Sequence, residues 1–91
     1  MNLRRYLVFT FLVIIKPAFP QGFNPDVVWS DGIEFMRSGD YLQGLEKMNE
    51  YLEYYPKDQS ALFNRSICLK NLGDIDGSCA DINTINELDV A

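Results

Sequence analysis

The 91-residue sequence has no histidine. It also has no Gly-rich phosphate loop, no nucleophile elbow and no cluster of metal-ligand residue types. With no constellation of groups to share a reaction, the expectation is a protein that is not an enzyme and carries no metal or cofactor. Basic residues are scarce: eight Lys and Arg face thirteen Asp and Glu. An acidic surface without a basic stripe repels phosphates, so nucleic acid is not an expected partner. The two cysteines are not spaced as Cys-x-x-Cys, which leaves a thiol redox protein only as a minor alternative. Long hydrophobic runs are missing too. Tyr6 to Ile15 is apolar apart from Thr10, but a membrane-spanning helix needs about 20 such residues.

That short run has a context. Arg4 and Arg5 precede it, Lys16-Pro17 breaks it, and Ala18-Phe19-Pro20-Gln21-Gly22 follows. A charged start, a short apolar core and a polar break describe a secretory signal peptide over residues 1–22. Pro20 spoils the obvious cleavage site, so a retained signal anchor is the second reading. No cysteine lies near the end of the run to take a lipid. The expected location is therefore periplasmic or secreted, with membrane contact only through an uncleaved leader. From Gln21 onward, five basic and thirteen acidic side chains remain, a net charge of −8. The acids read chiefly as a solvated face, with an electrostatic preference for a basic partner as the alternative.

Residues 23–91 form the expected domain. Asn24 can cap a helix, Pro25 suits its first position and Asp26 favours the positive end of the dipole. This helix should end near Ser38, where Gly39 can turn left-handed. Asp40 caps a second helix, with Gln43 completing a partial capping box, and Pro56 stops it after Tyr55. Leu45, Met48, Tyr51, Leu52 and Tyr55 recur at helical spacing as one apolar stripe. Asp58 then caps a third helix to about Leu72, with Leu62, Leu69 and Leu72 as buried candidates. Gly73 ends it, and Asp74 caps a fourth with the stripe Ile75, Cys79, Ile82, Ile85 and Leu88.

The second pair of helices repeats the first with a shift of 34 residues. Gly39 falls on Gly73, Asp40 on Asp74, Ile33 on Ile67 and Asn49 on Asn83. Small residues coincide at Gly32/Ser66 and Gly44/Ser78, and apolar ones at Trp29/Phe63, Met48/Ile82 and Tyr51/Ile85. A fixed period of this length marks a helical repeat array. Gly32, Phe35, Gly39, Asp40, Tyr41, Gly44, Tyr51 and Pro56 resemble the tetratricopeptide repeat pattern. The second copy departs from it at Ile75 and Val90, and Trp29 sits one place later than usual. The resemblance implies an all-α fold of two helix-turn-helix hairpins, about 25–58 and 59–91, stacked as a short right-handed solenoid after the hydrophobic signal helix.

In this family the first helix of each hairpin lines a concave groove that takes an extended peptide or partner segment. The resemblance implies Trp29, Ile33, Met36, Phe63 and Ile67 as an apolar floor, and Arg37, Asn64, Lys70 and Asn71 as a polar edge. Asp26, Ser30 and Ser60 hold matching positions. The carboxylate-holding set of some relatives is mostly missing here, so that specificity is not implied. Ordinary packing, with Trp29 on Phe63, is the alternative use of the aromatics.

Two further expectations concern the second hairpin. Reflection about its turn, between Gly73 and Asp74, sets Cys68 opposite Cys79. A disulfide is favoured there in an exported protein, while buried free thiols are the alternative. Second, arrays usually need about three repeats and a closing helix, so the fourth helix should show Ile75, Ile82 or Ile85 partly to solvent. The expected function is binding of a protein or peptide through the concave face. The alternative is an accessory or truncated structural module that completes its core against a larger protein or a second copy.

Overall fold

A computed structural model describes residues 22–90 of the chain. The expected leader lies outside the described residues, apart from Gly22. The described residues form four helices and no strand: α1 (Pro25–Arg37), α2 (Tyr41–Tyr54), α3 (Gln59–Asn71) and α4 (Ile75–Val90). Each helix packs on the next in chain order. No helix among the described residues is long and apolar enough to cross a membrane.

Helix boundaries follow local chemistry. The Asn24 side chain accepts from the backbone N–H groups of Asp26 and Val27. Asp40, Asp58 and Asp74 accept from Gln43, Ala61 and Gly77 at 3.2, 2.9 and 2.9 Å. Each carboxylate satisfies a donor that the first helical turn leaves unpaired. The helix ends repeat just as closely. Gly39 and Gly73 have φ of 85° and 91°. Asp40 and Asp74 each donate a backbone N–H at 2.8 Å to a carbonyl five residues back, that of Phe35 and Leu69. This is the glycine-terminated stop that closes orphan carbonyls. One aspartate therefore ends one helix with its N–H and starts the next with its carboxylate. Starts and stops of α1 and α3 coincide under the shift of 34, as do the starts of α2 and α4.

The core runs through all four helices. Met48, Leu52, Ala61 and Leu62 are buried at its centre, with Trp29, Ile33, Tyr51, Ile85 and Leu88 packed around them. Gly32 and Gly44 let α1 and α2 approach closely. A Cβ at Gly32 would lie 2.5 Å from the Met48 methyl, and one at Gly44 would lie 2.8 Å from Met36 Cγ.

Two expectations change, the burial of Leu72 and the disulfide. Leu72, expected to be buried, and Ile75, expected to meet solvent, flank the turn at Gly73 and are 46% and 53% exposed. Both sit where the hairpin bends away from the core. Ile82 and Ile85 are half-buried, partly open to solvent as expected. The disulfide is replaced by two free thiols, with Cys68 buried and Cys79 exposed. Reflection matched their heights but not their directions. The Cys68 sulfur points at α2, 3.3 Å from where a Gly44 Cβ would stand. On α4 it is Asp81 that turns toward α3. Cys79 lies two residues earlier, about 200° around the helix, and faces away.

Candidate functional site

Helices α1, α3 and α4 together build an open groove of about 450 Å³. Its lining is Trp29 from α1, Gln59, Ser60, Phe63 and Asn64 from α3, and Ile85 from α4. The positions follow from helical spacing: 59, 60, 63 and 64 fall on one face of α3. Phe63 is 52% exposed, an unusual state for a side chain of that area. Trp29 is half-buried, and its ring partner is Tyr51, at 5.1 Å and 57°. Tyr51 in turn meets Tyr55 at 4.9 Å. Trp29 is thus both a core residue and a groove wall, held from behind by α2. The alternative reading, a Trp29–Phe63 stack, is not the packing found; the two aromatics share the groove.

The nine expected contact residues divide. Trp29, Phe63 and Asn64 are brought together in the groove. Ile33 is packed into the core, and Ile67 is half-buried. Met36 packs across the first hairpin against Gly44. Arg37 is exposed and lies 3.7 Å from Glu34. Lys70 is exposed, and the Asn71 amide donates to the Ile67 carbonyl at 2.8 Å. Met36, Arg37, Lys70 and Asn71 sit about two helical turns, roughly 10 Å, beyond Trp29 and Phe63 along α1 and α3.

The polar groups of the groove differ from those at that far end. Among the described residues, the side chains of Gln59, Ser60 and Asn64 make no hydrogen bond within the chain. Each keeps donors and acceptors for something outside. Asp26 lies one turn before Trp29 on α1, and Asp58 directly precedes Gln59. Neither makes an ion pair among the described residues. Their charges are felt nearby: the Tyr51 phenol is held above its ordinary value by burial first, then by Asp58, Tyr55 and Asp26. The groove is therefore aromatic, neutral-polar within, and acidic at the end where α1 and α3 begin.

A second feature lies elsewhere on the second hairpin. Arg65 on α3 forms two charge-assisted bonds to Asp81 on α4, at 2.8 and 2.7 Å, and a third to Asn49 on α2 at 3.2 Å. The Asp81 side chain is only 6% exposed. The hydrogen bonds to Asp81 raise the Arg65 pKa against the opposing effect of burial. This cluster opens on a smaller cleft of about 310 Å³ between Leu45, Leu69 and Ala80. It joins three helices through all three nitrogens of the guanidinium, so its chemistry is that of a tie.

Sequence reasoning missed Gln59, Ile85 and the Arg65–Asp81 pair. The reflection that sets Cys68 opposite Cys79 also sets Arg65 within one residue of Asp81, and opposite charges at that offset were the available signal. Cys68 offers little for thiol chemistry, since burial pushes its pKa up. Among the described residues, no group of three or more metal-ligating side chains is assembled. No known protein family, curated protein or solved structure matches this chain.

Proposed function

We propose that this chain is a tetratricopeptide-like binding module that takes an extended protein or peptide segment along the α1/α3 face. The observation that carries this reading is the groove itself. An exposed Phe63 and a half-buried Trp29 line one space together with three uncommitted polar side chains. Apolar anchors with a few directional polar groups are what a binding groove requires. An amide such as Asn64 can donate to one backbone carbonyl and accept from one backbone N–H of an extended chain. The coincidence of helix limits and caps under a 34-residue shift supports the two-repeat solenoid. The charged, short apolar start supports export to the periplasm or beyond, with a retained anchor as the alternative.

The test is capture and titration of partners by the full chain, compared with Phe63→Ala and Asn64→Ala. Both positions contribute little to the core, so the variants should keep native circular dichroism and lose at least about fivefold in affinity. Unchanged affinity in both would end the groove reading. Trp29→Ala is the weaker test, because Trp29 also packs against the core.

Exposed Leu72 and Ile75 favour a second reading, in which the turn end of the second hairpin docks on a larger chain or a second copy. Leu72→Ser with Ile75→Ser would then abolish partner capture or dimerisation while Phe63→Ala would not.

A further inference from the structure

We infer that the segment held in the α1/α3 groove carries a Lys or Arg side chain, whose cation sits against Trp29 or Phe63 at the acidic end marked by Asp26 and Asp58. This rests on the reading of that face as a binding groove and specifies its occupant. Two independent observations point the same way.

The first is the groove wall. Trp29 and Phe63 present aromatic surface to the same space, and Phe63 is half open to solvent. An aromatic face attracts a cation through its quadrupole, Trp most strongly, and an aliphatic wall of equal area does not. The second is the charge around it. Asp26 and Asp58 stand at the groove end without an ion-pair partner among the described residues. Asp58 spends one carboxylate oxygen on the Ala61 N–H, which leaves the other oxygen for an external cation. The field of −8 over residues 21–91 favours a basic segment over an acidic one at longer range. The lining itself is neutral, so no cation of this chain already fills the place: Gln59, Ser60 and Asn64 are amides and a hydroxyl. Arg37 and Lys70 lie at the other end of the same helices and do not line the groove.

The experiment is a positional-scanning library of extended decapeptides on the immobilised full chain, followed by titration of one selected Lys-containing peptide and its Lys→Glu counterpart. The library should enrich Lys or Arg next to an apolar residue. The Lys peptide should bind about five- to twentyfold more tightly at low salt, the combined effect of an exposed ion pair and a cation–π contact. Asp26→Asn should shrink that ratio, and so should added salt, since exposed charges are screened over about 10 Å at 0.1 M. Phe63→Leu should also shrink it, because leucine keeps apolar area and loses the ring. Equal affinity for both peptides, with binding still lost in Phe63→Ala, overturns the cation inference and leaves the groove standing. Failure of every peptide to bind, or binding untouched by Phe63→Ala, overturns the groove and the inference together.

Discussion

The two hairpins share one backbone and are held together differently. Both use an aspartate cap and a glycine stop, in register across 34 positions. Within that frame the first hairpin is joined by glycine contacts and an aromatic row, Gly32 under Met48, Gly44 under Met36 and Trp29 on Tyr51. The second is joined by the partly buried Arg65–Asp81 pair. At the equivalent places the first hairpin has Asp31 and Lys47, the same charges exchanged, yet Lys47 turns instead to Glu50 at 3.8 Å. Equivalent positions therefore preserve helix limits and caps, while the chemistry that joins the helices changes. Two helix pairs with the same limits and caps can be joined by different contacts.

The sharpest way to break this comparison is at Leu52 and its equivalent Asn86. Leu52 is buried between α2 and α3, whereas Asn86 is exposed on α4, which has no such neighbour among the described residues. Leu52→Ala should cost about 2–5 kcal/mol, and Asn86→Ala no more than about 0.5, by urea denaturation. Equal costs would mean that α4 is covered as α2 is.

The ion pair comes next. Asp81→Ala strands a partly buried guanidinium and should cost about 2–4 kcal/mol, discounted for the exposure of Arg65. Replacing both partners, Arg65→Met with Asp81→Leu, should recover most of that loss. Asp31→Ala in the first hairpin should cost no more than about 0.5 kcal/mol. A costly Asp31 variant would show that the exchanged charges do equal work.

Crossing residues give the third comparison. Gly44→Ala forces Met36 and Cys68 aside and should cost about 1–3 kcal/mol. Ser78→Ala, the matching place in the second hairpin, should be nearly neutral. Gly39→Ala and Gly73→Ala should each cost about 1–2 kcal/mol, and equally, since both glycines hold a positive φ.

The smallest effects are at the thiols. An alkylating reagent should label exposed Cys79 first and buried Cys68 only as the chain opens. The raised Cys68 pKa contributes stability that is complete below the unfolded thiol's pKa. That contribution is lost as pH rises through the higher folded value. A Cys68→Ser variant should flatten this part of the pH dependence. Rapid labelling of Cys68 at neutral pH would contradict its burial.

Most of the helical layout was legible because its signals are local. Asn24, Asp40, Asp58 and Asp74 announce starts, while Gly39, Gly73 and Pro56 announce stops, and the structure moves each end by at most about one residue. What was not legible depended on side-chain direction across helices. Cys68 and Cys79 share a height but point apart, whereas Arg65 and Asp81 meet. The groove was half legible. Trp29, Phe63 and Asn64 came from equivalent places in the repeat, but Ile85 enters from α4, a helix the family pattern does not assign to that surface. Met36 and Ile67 read as groove floor because their spacing is right, yet Met36 faces Gly44, whose missing side chain makes room for it.

The most direct test is a nuclear magnetic resonance titration of the isotope-labelled full chain with a selected Lys-containing peptide. Shifts should gather on the Trp29 indole, Gln59, Phe63, Asn64 and Ile85, with Leu45, Leu69 and Ala80 in the Arg65–Asp81 cleft unmoved. Shifts that spare the groove and gather in that cleft, or around Leu72 and Ile75, would contradict the α1/α3 face as the binding surface.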